Sequence, residues 1–168
     1  MFGKFVARGL KIAILPTLLV TGLLMTLPVR AETSCAGASL SPAVDGRVVL
    51  GFGDANPADT TGAGLHSRGI VYVTAGHAAV TAPAGGRIEY AGPVANLGQV
   101  VILDVGMNYR VVLTGLDRVS VRIGQRVAAE DRLGAMPGIG RQAAHLYMEL
   151  RCGEEPVDPA RPQTIAMR

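Results

Sequence analysis

Few side chains in this 168-residue chain can carry acid–base, nucleophilic or metal chemistry. There are three histidines, His66, His77 and His145, and two cysteines, Cys35 and Cys152. Beyond Ala31 every cation is an arginine, spread singly from Arg47 to Arg168. The densest combination is the string HLYMELR, residues 145–151. Side chains in a strand point to opposite faces with period two. Leu146, Met148 and Leu150 therefore share one face, and His145, Tyr147, Glu149 and Arg151 the other. The apolar face belongs to a core. The polar face is either a solvated sheet surface or the floor of a groove.

The elements that would position this strand begin after Ala31. Residues 1–31 have the parts of a secretory signal peptide: Lys4, Arg8 and Lys11, an apolar run from Ile12 to Leu27, and Val29-Arg30-Ala31 before Glu32. Residues 32–168 then hold 12 arginines against 13 acids, so the formal +3 of the whole chain becomes −1. With no basic run and five aromatics in that part (Phe52, Tyr72, Tyr90, Tyr109, Tyr147), a nucleic-acid partner is excluded. After Ala31 no apolar run approaches the roughly 20 residues of a spanning helix, so no membrane association is expected once the signal is cleaved. The expected location is the periplasm, or the inner membrane if the signal stays uncleaved as an anchor. Export permits a disulfide, and Cys35 and Cys152 either pair, tying the start of the domain to its last strand, or stay as two buried thiols.

Residues 32–45 read as a short lead-in, and from Gly46 onward the pattern is β. Runs of Val, Ile and Leu are bounded by Gly, Pro, Asn or Asp. The expected strands are Arg47–Phe52, Gly69–Ala75, Ala79–Thr81, Gly86–Ala91, Gln99–Val105, Arg110–Thr114, Ser120–Ile123, Arg132–Ala135 and His145–Arg151. Hairpin turns are expected at Ala84-Gly85-Gly86 and at Met107-Asn108, and a surface loop over Asp54–Gly64. The end from Pro156 reads as frayed, with 160–168 a tail beyond the domain. The sum is one all-β domain, a compact sandwich or barrel of hairpins.

Order and spacing also carry a resemblance. VSVRIGQRVAAEDRLGAM (119–136), HLYMELR (145–151) and PVDP (156–159) look like the closing half of a LytM-type, lysostaphin-like zinc metallopeptidase domain. GRVVLGFG (46–53), SRGI (67–70) and AVTAPAGGRIEYAG (79–92) resemble its opening half, so the likeness covers 46–159. The resemblance implies a hairpin-rich fold with zinc held by the His and Asp of H-x-G-x-D and the second His of H-x-H. A catalytic zinc needs three such ligands and an open water position. Matched position by position, the first ligand is Ser67, the Asp is Val71 and the last His is Tyr147. The assisting histidine of the middle strand becomes Gly115, and His145 alone survives, at a position that assists and does not hold metal. His66 stands one residue before the first ligand position, which on a strand turns it to the other face, and His77 falls in a turn; neither is expected to meet His145. No cofactor is expected.

The same pattern of loss is similar to degenerate LytM factors of the EnvC kind, murein hydrolase activators that switch on N-acetylmuramoyl-L-alanine amidases. These also carry tyrosine at the second-His position. The resemblance implies a pseudoenzyme whose groove, with Arg68, His145, Tyr147 and Arg151, binds the amidase. Such activators place a long coiled coil before the domain, and residues 32–45 are too few for one. Two other readings stay open: a non-catalytic peptidoglycan-binding or scaffold module, and an active zinc metalloendopeptidase with atypical ligands.

Overall fold

The chain is seen in a computed structural model that describes residues 40–57, 64–138 and 143–161. All of these lie within the unit Glu32–Arg168, and the expected signal, Cys35 and residues 162–168 of the tail fall outside them. Every named element is a strand: β1 Gly46–Leu50, β2 Ile70–Thr74, β3 Ala79–Thr81, β4 Gly86–Val94, β5 Gly98–Gly106, β6 Tyr109–Leu116, β7 Arg118–Val119, β8 Arg126–Val127, β9 Arg132–Ala135, β10 Ala144–Cys152 and β11 Glu155–Val157.

A long antiparallel sheet runs β1-β2-β10-β6-β5-β4-β8, with β11 paired to β10, and a small sheet runs β3-β9-β7. The expected alternation of β10 is present. Leu146, Met148 and Leu150 are at most 2% exposed, whereas His145 is exposed and Tyr147, Glu149 and Arg151 are half-buried. Ile70 and Tyr72 of β2, Tyr109, Val111 and Leu113 of β6, and Leu103 of β5 join the same inner face. They form one cluster with Val80, Leu133 and Met136 from the small sheet and its flank. Burying about 25 cal/mol per Å² of apolar surface makes this cluster the main stabilising term.

Turn chemistry fixes the hairpins. Met107 and Asn108 have φ of 48° and 63°, the pair of left-handed residues that a two-residue hairpin needs to match strand twist. Gly115 is the extra residue of a bulge: Gln99 pairs with Leu116 and Val100 with Thr114, which leaves Gly115 unpaired on β6 at φ 94°.

Four expectations are corrected. Ala84-Gly85-Gly86 does not close a hairpin, because β3 pairs with β9 and β4 with β5 and β8, so this turn carries the chain from one sheet to the other. Ser120–Ile123 is not a strand. Gln125 bonds back to Arg122 through both backbone and side chain, and Gly124 at φ 84° turns the chain, so the pairing splits into β7 and β8 in different sheets. The end from Pro156 is not frayed at its start, since Glu155–Val157 pairs with Leu150–Cys152 and Pro159 is buried. The segment taken as a loop from Asp54 is partly paired: Asn56 N donates to Leu65 O and Ser67 N to Asp54 O, while 58–63 lie outside the described residues. Cys152 is disulfide-bonded, and its expected partner, Cys35, is among the undescribed residues.

The two faces of β10 predict opposite responses to truncation. Leu146→Ala should cost about 2–5 kcal/mol through lost burial and a cavity, and His145→Ala should stay within about 0.5 kcal/mol. Urea unfolding midpoints of the two variants measure the difference.

Candidate functional site

The outer face of the long sheet is built around β10 and its neighbours. Tyr147 stands opposite Val71 of β2 on one side and Thr114 of β6 on the other; His145 stands opposite Val73. Just before β2 the chain turns at Ser67-Arg68-Gly69, and here the backbone comes very close to β10. A Cβ at Gly69 would strike the Met148 carbonyl and lie 2.9 Å from both Cε2 and Cζ of Tyr147. Only glycine lets the phenol ring lie over this turn.

The result is a pocket of about 330 Å³ bordered by Leu50, His66, Ser67, Arg68, Val71 and Tyr147, with Asn56 beside them. The structure thus brings together Ser67, Val71 and Tyr147, three positions that are distant in sequence. It also brings in His66, against expectation. Residues 66–69 precede β2, so the alternation of a regular strand does not apply to them, and His66 is set by an isolated bridge to Ala55. Its Nδ1 lies 2.9 Å from the Gly53 carbonyl, which can only accept, so Nδ1 carries the proton. His77 is elsewhere, beside Arg118 and Arg132 of the small sheet. His145 is exposed and does not border the pocket. Gly115, the middle-strand position, lies against the carbonyl of His145 and has no room for a side chain.

Arg151 shares the face but not the pocket. It borders a neighbouring depression of about 290 Å³ with Glu89, Arg110 and Glu154. Its Nη2 donates to the Glu154 carbonyl at 2.6 Å, and its Nε lies 3.5 Å from Glu149 Oε1, an ion-pair distance without hydrogen-bond geometry. In the same depression Arg110 Nε donates to Glu89 Oε2 at 2.7 Å. A larger depression of about 600 Å³ beside β1 and β3 is lined by small and apolar residues with Asp45 its one charged member, and offers little chemistry.

Glu149 links the two halves of the face, a role the sequence reading did not give it. The Tyr147 hydroxyl donates to Glu149 Oε2 at 2.6 Å, and the Glu149 side chain is only 12% exposed. Burial, then this hydrogen bond and the charge of Glu149, push the Tyr147 phenol well above the usual tyrosine range, with Arg68 and Arg151 opposing. The i, i+2 spacing on one strand face was the signal for this contact.

The pocket residues do not fit zinc. Val71 has no donor atom. The Ser67 hydroxyl, which donates to the Gly69 carbonyl at 2.8 Å, is neutral and a poor zinc ligand beside imidazole or carboxylate. A phenol ligates well as phenolate, and the Tyr147 phenol is committed to Glu149 and held in its neutral form. Among the described residues no cluster of three or more His, Cys, Asp or Glu side chains could hold a metal ion.

Tyr147→Phe should keep the fold and cost about 1.5–3 kcal/mol, the range for a hydrogen bond to a charged group. Burial also raises the Tyr72 and Tyr109 phenols. A phenol whose pKa is raised on folding lends stability that is intact below the unfolded value of about 10 and lost as pH rises through the folded value. Stability should therefore fall on the alkaline side of pH ~10, and less steeply in Tyr147→Phe. Denaturant titrations across that range check both.

Known proteins share this architecture. A zinc-containing peptidase from Vibrio cholerae superposes with a TM-score of 0.62 at 19% identity, over 76% of this chain and 39% of that one. Helicobacter pylori Csd3 gives 0.61 at 20%, over 73% and 32%. The catalytic domain of lysostaphin from Staphylococcus simulans gives 0.57 at 23%, over 68% and 89%. At these identities the likeness is one of fold. By sequence, an uncharacterized protein of Neisseria meningitidis serogroup B is 32% identical over 93 residues, which are 55% of this chain and 15% of that protein. The model of Peptidase family M23 matches residues 65–159, which include β2 to β11 with Arg68 and Tyr147, and the chain belongs to that family.

Proposed function

We propose that this chain is a non-catalytic M23 domain that binds a periplasmic N-acetylmuramoyl-L-alanine amidase and activates it in remodelling of the peptidoglycan wall. One observation carries the reading. The pocket where the resemblance calls for a metal is walled by Ser67, Val71 and Tyr147, a neutral hydroxyl, an aliphatic side chain and a neutral phenol in place of zinc ligands. What remains is a shaped, partly apolar depression with an arginine at its rim, the residue types that dominate interface energetics. The export features of residues 1–31 support a periplasmic location.

Activation by binding requires a difference in affinity. The domain must bind the open amidase more tightly than the closed one, since equal affinity shifts nothing. Moving an amidase from 1% to 99% open takes about 10⁴-fold preference. Concentrating binding energy in one pocket suits that demand, because a few anchors carry most of the energy of an interface.

Dye release from labelled sacculi tests the proposal, with the cognate amidase and the full-length chain added separately and together. Release only with both is the expected result, and Arg68→Glu should lower it at least tenfold while leaving the unfolding midpoint unchanged. Release by the chain alone would make it a hydrolase. No release in any combination would leave a peptidoglycan-binding or scaffold role.

A further inference from the structure

Among the described residues, the rim of the pocket carries positive charge and no negative charge. Arg68 is exposed, and among the described residues no carboxylate pairs with it. Among the described residues, none of the side chains bordering the pocket is acidic. The nearby acid on β10, Glu149, does not border the pocket; it accepts the Tyr147 hydroxyl and faces Arg151. Arg68 borders the pocket beside Tyr147, and its charge opposes the upward push on the Tyr147 phenol. Leu50, Val71 and the ring of Tyr147 give the pocket apolar lining.

We propose that this pocket is a carboxylate site that receives the side chain of a glutamate or aspartate presented by the partner protein. The acid's methylene stem packs against Leu50, Val71 and the Tyr147 ring. Its two oxygens meet the planar fork of Arg68, the geometry in which guanidinium binds carboxylate bidentately. The His66 ring, oriented by its bond to the Gly53 carbonyl, also borders the pocket. Tyr147 contributes its ring and not its hydroxyl, which is already committed to Glu149. This assignment rests on the reading of the pocket as a protein-binding surface and adds the chemistry of the residue it takes.

The test is a nuclear magnetic resonance titration of the full-length chain with N-acetyl-L-glutamic acid α-amide, whose only charge is the side-chain carboxylate. N-acetyl-D-alanyl-D-alanine, with the terminal carboxylate of a wall peptide, and sodium chloride at equal ionic strength run in parallel. The expected result is saturable shifts at Arg68, His66 and Tyr147 with the glutamate probe. They should weaken at least tenfold in Arg68→Gln and be unchanged in Arg122→Gln, an exposed turn residue. Shifts no larger than with chloride, or retained in Arg68→Gln, would overturn the site. Saturation by the D-alanyl probe alone would overturn the assignment to a protein side chain. Because the titration contains no amidase, it fails independently of the activation assay: a chain that titrates but does not activate keeps the carboxylate site and loses the activator role.

Discussion

The register of β10 between β2 and β6 is the constraint on which the rest depends. It sets Tyr147 opposite Val71 and Thr114, and it brings the Met148 carbonyl so close to residue 69 that only glycine fits there. A slip of one residue would exchange the two faces of the strand. Leu146, Met148 and Leu150, all nearly or fully buried, would then meet solvent, and the charged row would enter the core. The apolar core therefore does more than stabilise the sheet. By fixing the register it decides which side chains form the outer face.

On that face the charges are arranged in sequence along one strand. Tyr147 donates to Glu149, and Glu149 faces Arg151, which also bonds the Glu154 carbonyl in the turn to β11. The acid is satisfied from both sides, and Arg151 is held in place by it. Arg68, on the turn before β2, is left out of this chain of partners. The face thus divides into a compensated half around Arg151 and an uncompensated half around Arg68, although the two arginines and Tyr147 looked equivalent in the sequence.

Much of this was legible beforehand, for identifiable reasons. Strict alternation in HLYMELR gave the inner and outer faces of β10 correctly, because a half-buried strand has no other way to place three apolar side chains together. The Ser67, Val71 and Tyr147 positions, matched from the resemblance, do meet in one pocket. What failed were features that depend on long-range pairing. The Pro83–Gly86 turn has the residues of a hairpin but links two sheets, and nothing local distinguishes the two outcomes. The assignment of His66 to the opposite face assumed a strand that does not begin until Ile70. Arg151 was grouped with Arg68 because both lie near Tyr147, and the structure separates them by placing Glu149 and Glu154 around Arg151.

The central claim is that the Tyr147 pocket has exchanged metal binding for recognition, and zinc titration of the full-length chain tests it most directly. The account predicts no stoichiometric uptake by the native chain. It predicts one bound zinc after Ser67→His, Val71→Asp and Tyr147→His are combined, since that set supplies the three ligands a catalytic zinc needs. One equivalent of zinc held by the native chain and lost in Tyr147→Phe would contradict it.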